Sequence, residues 1–240
     1  MPSRAASVSW PDYLLASTIG TLTILAWTAL WLWGRSPSGH LMMHGTLFVA
    51  GWTLMTIAMM LPTTIPLLWM FRRMAAGRAN SVELVSLVIA GYLIVWVVFG
   101  LLALAGTRIL HRTIPSGPWL SAGLLGLAGL YQFTPFKYAC LDKCHSPMQF
   151  LIARWRGGRE RWQALHIGVD HGLFCVGCCW SLMLLMFLTG AGSLGAMLLL
   201  GALMALEKNL PWGRRLSAPL GVLLLLGAVA AGVSGLAAAQ

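Results

Sequence analysis

Residues 166–186 read HIGVDHGLFCVGCCWSLMLLM, and the nature of the chain turns on them. The segment has the length and apolar content of a membrane-crossing helix, for which about 20 residues suffice. It also carries Cys175, Cys178 and Cys179, with His171 one helical turn before the first thiol. Packing alone does not call for three thiols and an imidazole within nine residues of such a helix. In an α-helix His171, Cys175 and Cys178 stand at i, i+4 and i+7 and share one face, with Cys179 beside it. Thiolate and imidazole are the ligands that Cu(I), Zn(II) and iron–sulfur units prefer. Cysteine is also a small, often buried side chain that packs well between helices, so the stretch reads as a metal site, a redox site or polar packing.

The rest of the chain shares this apolar character. Of 240 residues, 58% are hydrophobic and only 9% are charged, where soluble domains carry about 25% charged residues. The mean hydropathy is +0.79. These values predict an all-α, polytopic transmembrane helix bundle, a single integral membrane domain over residues 1–240. Seven spans are expected, near residues 13–33, 41–71, 82–106, 119–139, 166–188, 194–206 and 218–238. Pro62 and Pro66 interrupt the second and predict a kink, because proline removes a backbone donor and clashes with the preceding turn. Gly123, Gly126 and Gly129 in the fourth predict close helix approach. No cleavable signal peptide is read at the start, where only Arg4 is basic before Asp12.

The formal charge of +10 belongs to loops rather than to a nucleic-acid surface. One set of loops would hold Arg4; Arg72, Arg73 and Arg78; Lys137, Lys143, Arg154, Arg156, Arg159 and Arg161; and Lys208, Arg214 and Arg215. The opposite set would hold only Arg35, Arg108 and Arg112. Cytoplasmic loops collect Lys and Arg, so the N-terminus is expected in the cytoplasm. The thiols of residues 175–179 then reach roughly 10–15 Å into the bilayer from the cytoplasmic side, at a rise of 1.5 Å per residue.

Two further groups join the first. Cys140 and Cys144, at i and i+4, end the fourth span on the same side, with His145 following. Met59 and Met60, with Met55 one turn earlier, lie before the kink, and thioether suits Cu(I), although methionine is also a flexible core filler. His40, Met42, Met43 and His44 form a similar mixed group on the opposite side. Asp170 stands where it can orient His171 from behind, and Glu207, with the adjacent Lys208, reads as part of an interfacial ion pair with neighbouring loops. Hydrolase and nucleotide-binding motifs such as G-x-S-x-G, H-E-x-x-H and a Walker loop are absent, so the residues do not favour an enzyme.

Several strings together resemble a known family. They are Ala58-Met-Met-Leu-Pro62, Tyr131-Gln-Phe-Thr-Pro-Phe-Lys137, Cys140-Leu-Asp-Lys-Cys144 with Pro147 following, His171-Gly-Leu-Phe-Cys-Val-Gly-Cys-Cys-Trp180 with Met183, and Glu207-Lys208. The resemblance is to bacterial integral membrane proteins labelled "predicted metal-binding", some of them copper chaperones, and it covers about residues 43–208. His145 departs from the family pattern, which has an arginine-type residue there. The resemblance implies a metal-binding protein of the bacterial inner membrane.

Three functions follow from the residues and the resemblance. The first is Cu(I) binding for delivery or homeostasis, with zinc as the alternative ion. Its ligands would come from Cys140, Cys144, Cys175, Cys178, Cys179, His171, Met59 and Met60, and its partner would be a metal-donating or metal-receiving protein. The second is a membrane thiol–disulfide carrier, using the C-x-x-C spacing of Cys175 and Cys178. The third is a structural subunit of a membrane complex. The copper reading requires sulfurs of the Cys140–Cys144 pair to lie against those of residues 175–179.

Overall fold

The computed structural model describes residues 10–35, 45–113, 117–155, 158–186 and 193–237. Among them the chain is all-α, with ten α-helices and no strand. They are α1 (Trp10–Gly34), α2 (Gly45–Met59), α3 (Ile65–Met74), α4 (Ser81–Thr113), α5 (Pro118–Tyr131), α6 (Pro135–His145), α7 (Pro147–Arg154), α8 (Glu160–Leu184), α9 (Leu194–Asn209) and α10 (Ser217–Ala237). His40, Met42, Met43 and His44 lie outside the described residues, as do residues 187–192, which include the expected end of the fifth span.

Four stretches are long and apolar enough to cross a membrane: Tyr13–Gly34, Ser81–Leu110, Glu160–Leu184 and Gly213–Ala237. A fifth arises if Thr46–Met59 and Pro62–Met74, bent by 46° at the break between them, count as one broken span. The proline kink expected there is present. Pro62 has no N–H to continue the ladder, and the Thr63 and Thr64 hydroxyls donate to the Met60 and Leu61 carbonyls, each at 2.7 Å.

The expected fourth span, 119–139, is not one helix. α5 stops at Tyr131 and α6 starts at Pro135. Thr134 is extended (ψ 140°), as the residue before a proline is driven to be, and its hydroxyl caps α6 by accepting from Lys137 N. With 14 residues, α5 is shorter than a span, and so is α9 with 16. The segment from Cys140 to Trp155, read as a loop, is largely helical, forming most of α6 and all of α7.

Large apolar side chains face outward along the long helices. Leu22, Ile24 and Leu25 on α1, Ile94, Val98 and Leu102 on α4, and Leu223, Leu226, Val229 and Val233 on α10 are all exposed. Lys137, Glu207, Lys208, Gln132, Thr56 and Ser217 are buried. Two of the basic residues assigned to loops, Lys137 and Lys208, are therefore interior; each follows an apolar run closely enough to be folded back beneath it.

The central contact is between α4 and α8. A Cβ at Gly168 would stand 2.1 Å from the Val88 carbonyl oxygen, and one at Gly91 would stand 2.4 Å from that of Leu165. The two backbones touch, as small residues allow in helix pairs, and Tyr92 is brought alongside the thiols of α8. A second pair, α5 with α10, meets at Gly129, where a Cβ would stand 3.1 Å from the Gly221 carbonyl oxygen. Of the other two glycines expected to act this way, Gly126 makes only an ordinary contact and Gly123 meets nothing within 4 Å.

Candidate metal centre

α8 turns its sulfur-bearing face inward. Cys175, Cys178 and Cys179 are each at most 1% exposed. Cys178 Sγ lies 3.3 Å from Cys179 Sγ and donates to the Cys175 carbonyl at 3.2 Å. Cys175 Sγ has two partners from other helices: the Tyr92 hydroxyl of α4 at 2.9 Å and Lys208 Nζ of α9, which donates to it at 2.7 Å. Lys208 Nζ is also 3.5 Å from Met60 Sδ, while Tyr92 donates to the Met60 carbonyl at 3.4 Å. The break after α2 thus delivers both a thioether and a backbone oxygen to this point.

α6 supplies the other two thiols. Cys140 is seated against Gly177, where a Cβ would stand 2.6 Å from Cys140 Sγ. Glycine at this place in the Cys-Val-Gly-Cys-Cys string is what lets α6 dock on α8. Cys144, half-buried, packs against the core that holds the α8 thiols. All five cysteines are free thiols. Cys140 of α6 therefore packs on the cysteine-bearing stretch of α8.

The other expected site residues have their own contacts. The His171 ring stacks on Tyr92 with centroids 5.8 Å apart and lies 6.1 Å from Phe150, in aromatic surroundings. Asp170 does not sit behind His171 as an orienting group; it forms an ion pair with Arg154 of α7. Met59 packs on Gly201 of α9, in the same core as the thiols. Met55, Met183, Met186, Met197 and Met204 are buried in the same core as the thiols.

Beside the sulfurs lies a buried polar network. Lys137 Nζ donates to both carboxylate oxygens of Glu207, at 2.8 and 2.9 Å, and to Gln132 Oε1. Ser217 donates to Glu207 at 2.7 Å, and His145 Nε2 lies 2.8 Å from the Glu207 carbonyl oxygen. Glu207 pairs with Lys137, not with its neighbour Lys208, and the pair is interior rather than interfacial. The two adjacent residues at the end of α9 serve different centres.

Sequence reasoning missed Tyr92, Lys137 and Lys208. A signal existed for each. Tyrosine in the middle of a long apolar run stands away from the interfaces where it usually collects, and a lysine next to an apolar segment is a candidate for a buried functional charge.

Soft sulfur donors in an enclosed apolar setting suit a soft, thiophilic ion. Among the described residues no three His, Cys, Asp or Glu side chains converge as a metal site. The arrangement thus presents Cys178 and Cys179 as a neighbouring pair of sulfurs, with Cys140 and Cys144 packed in or against the same core, rather than a closed cage. No curated protein and no solved structure matches the chain. One family model does, that of PpoB2, described as "Copper chaperone", over residues 49–231. That range includes the break after α2, Tyr92, all five cysteines and the Glu207-Lys208 pair, so the chain belongs to the PpoB2 family of copper chaperones.

Proposed function

We propose that this protein is an integral membrane copper chaperone that accepts Cu(I) as cargo, holds it between sulfurs of α6 and α8, and passes it to a copper-requiring protein. The observation that carries this reading is Cys140 of α6 seated on Gly177 of α8, in one sulfur-rich core with Cys175, Cys178 and Cys179. Thiolates in pairs bind a monovalent soft ion without a closed polyhedron, and ligand exchange between neighbouring pairs provides release. Cys140, Cys144, Cys175, Cys178 and Cys179 are the proposed ligands, with Met60 as a thioether neighbour. His171 and Met59, buried in or beside the same core, are the proposed extra ligands.

The location is the bacterial inner membrane. The four long apolar helices and their outward-facing Leu, Ile and Val side chains support it. α5 and α9, with the broken pair α2 and α3, complete a seven-crossing arrangement with the N-terminus in the cytoplasm. With Lys137 and Lys208 removed from the loops, the remaining basic residues keep the same bias. Reporter fusions in the loops after α3 and α4 test the orientation: the first should report cytoplasm, the second the opposite side.

Binding is tested on purified protein in detergent, titrated anaerobically with Cu(I) against a chromophoric competitor. Wild-type protein should take up Cu(I), and Cys175→Ser and Cys178→Ser should lose most of that uptake. Wild-type protein that stays metal-free with its thiols reduced would overturn the reading. Thiols that instead cycle between reduced and disulfide forms in cells would favour the redox carrier.

A further inference from the structure

Lys208 is the one element of the site that a simple sulfur cage does not require. Its side chain is buried, and its Nζ touches Cys175 Sγ at 2.7 Å and lies 3.5 Å from Met60 Sδ. The other buried ionic groups in this region, Lys137 and Glu207, neutralise each other at 2.8 Å. Among the described residues Lys208 is then the buried cation without a carboxylate partner, and it stands against the Cys175 thiol of α8. We propose that Lys208 makes the thiol site selective for monovalent soft cations and against divalent ones, by serving as the fixed counter-charge of an anionic dithiolate complex. The inference rests on the metal-handling function proposed above.

The argument is one of charge. Cysteine binds metal as thiolate. Two thiolates with one monovalent ion carry a net charge of −1, and the Lys208 ammonium, held against Cys175 on the same helix face, closes the balance. Two thiolates with a divalent ion are neutral, and the Lys208 charge is then left in the interior without an anion, which is costly. A third thiolate would restore the balance for a divalent ion, but no three such ligands converge among the described residues. Softness alone does not produce this discrimination, because Cd(II) and Ag(I) are both thiophilic.

Ag(I) and Cd(II) therefore separate charge from softness. Full-length protein in detergent is titrated with each ion, and with Cu(I) and Zn(II), in wild type, Lys208→Gln and Lys208→Arg. Wild-type protein should bind Ag(I) and Cu(I) far more tightly than Cd(II). Lys208→Gln should lower the Ag(I)-to-Cd(II) affinity ratio about tenfold or more, and Lys208→Arg should keep it within about threefold, since the charge persists. A ratio unmoved in Lys208→Gln overturns the inference. So does wild-type protein that holds Cd(II) on the α8 thiols as tightly as Ag(I), a comparison that decides the matter even if Lys208→Gln does not fold. Wild-type protein that binds neither Cu(I) nor Ag(I) removes the metal-handling reading itself, whereas binding without charge selectivity removes only the role of Lys208.

Discussion

Lys137 of α6 and Glu207 of α9 form an ion pair at 2.8 Å with their side chains 0% and 1% exposed. Gln132 and Ser217 complete the hydrogen bonding around it. The pair ties α6, which carries two of the thiols, to the helix end that carries Lys208. Removing one partner of such a pair leaves an uncompensated buried charge, which costs about 3–5 kcal/mol. Glu207→Gln should lower unfolding stability by that order, measured by thermal or denaturant melts in detergent. The double substitution Lys137→Met with Glu207→Leu should recover much of the loss, because apolar replacement of both partners is often neutral. A single variant as stable as wild type would show that the pair does not hold α9 in place.

Gly177 is the seat of Cys140. A Cβ there would stand 2.6 Å from Cys140 Sγ, so Gly177→Ala must push α6 off α8. The expected loss of stability is about 1–3 kcal/mol, as for other overpacked interiors. Cys140→Ala removes the sulfur in question. Combined with Gly177→Ala, it should yield a protein more stable than Gly177→Ala alone, and a double variant no better than the single one would refute the contact.

Cys144 is half-buried while Cys140, Cys175, Cys178 and Cys179 are each at most 5% exposed. Under native conditions a maleimide should modify Cys144 first, with the site read by mass spectrometry of peptides. Cu(I) added beforehand should slow that modification. Equal reaction at all five thiols in folded protein would contradict the buried arrangement.

Gly168 tests the helix contact that brings Tyr92 to Cys175. Its added Cβ would meet backbone, the Val88 carbonyl, at 2.1 Å, so nothing flexible can give way. Gly168→Ala should weaken Cu(I) binding and lower stability although no proposed ligand is changed. Gly123→Ala, in open space, should alter neither and is the control. If both behave alike, the α4–α8 approach does not position the site.

Much of this protein is legible in the order of its residues, because the relevant physics is local. Hydropathy marks α1, α4, α8 and α10 as long apolar helices. The 3.6-residue period puts Cys175 and Cys178 on one inward face. Pro62 and Pro66 announce the bend after α2, since a proline's missing donor acts on its own turn. Composition excludes a soluble domain with ordinary charge content. The division of 119–139 into α5 and α6 was also encoded, in Thr134-Pro135, but an apolar-length criterion passes over a capping residue.

What needed the tertiary structure were contacts across large sequence separations. Lys208 and Cys175 are 33 residues apart, and Tyr92 and Cys175 are 83 apart. No periodicity links them. They meet because Gly91, Gly168 and Gly177 let three helix backbones approach closely, and because the end of α9 folds inward. Glu207 and Lys208 illustrate the limit best. As neighbours of opposite charge they invite one another as partners, yet successive positions on a helix point about 100° apart. The helix therefore aims Glu207 at Lys137 and Lys208 at the thiols, and only the packing of α9 against α6 and α8 decides which charge meets which group.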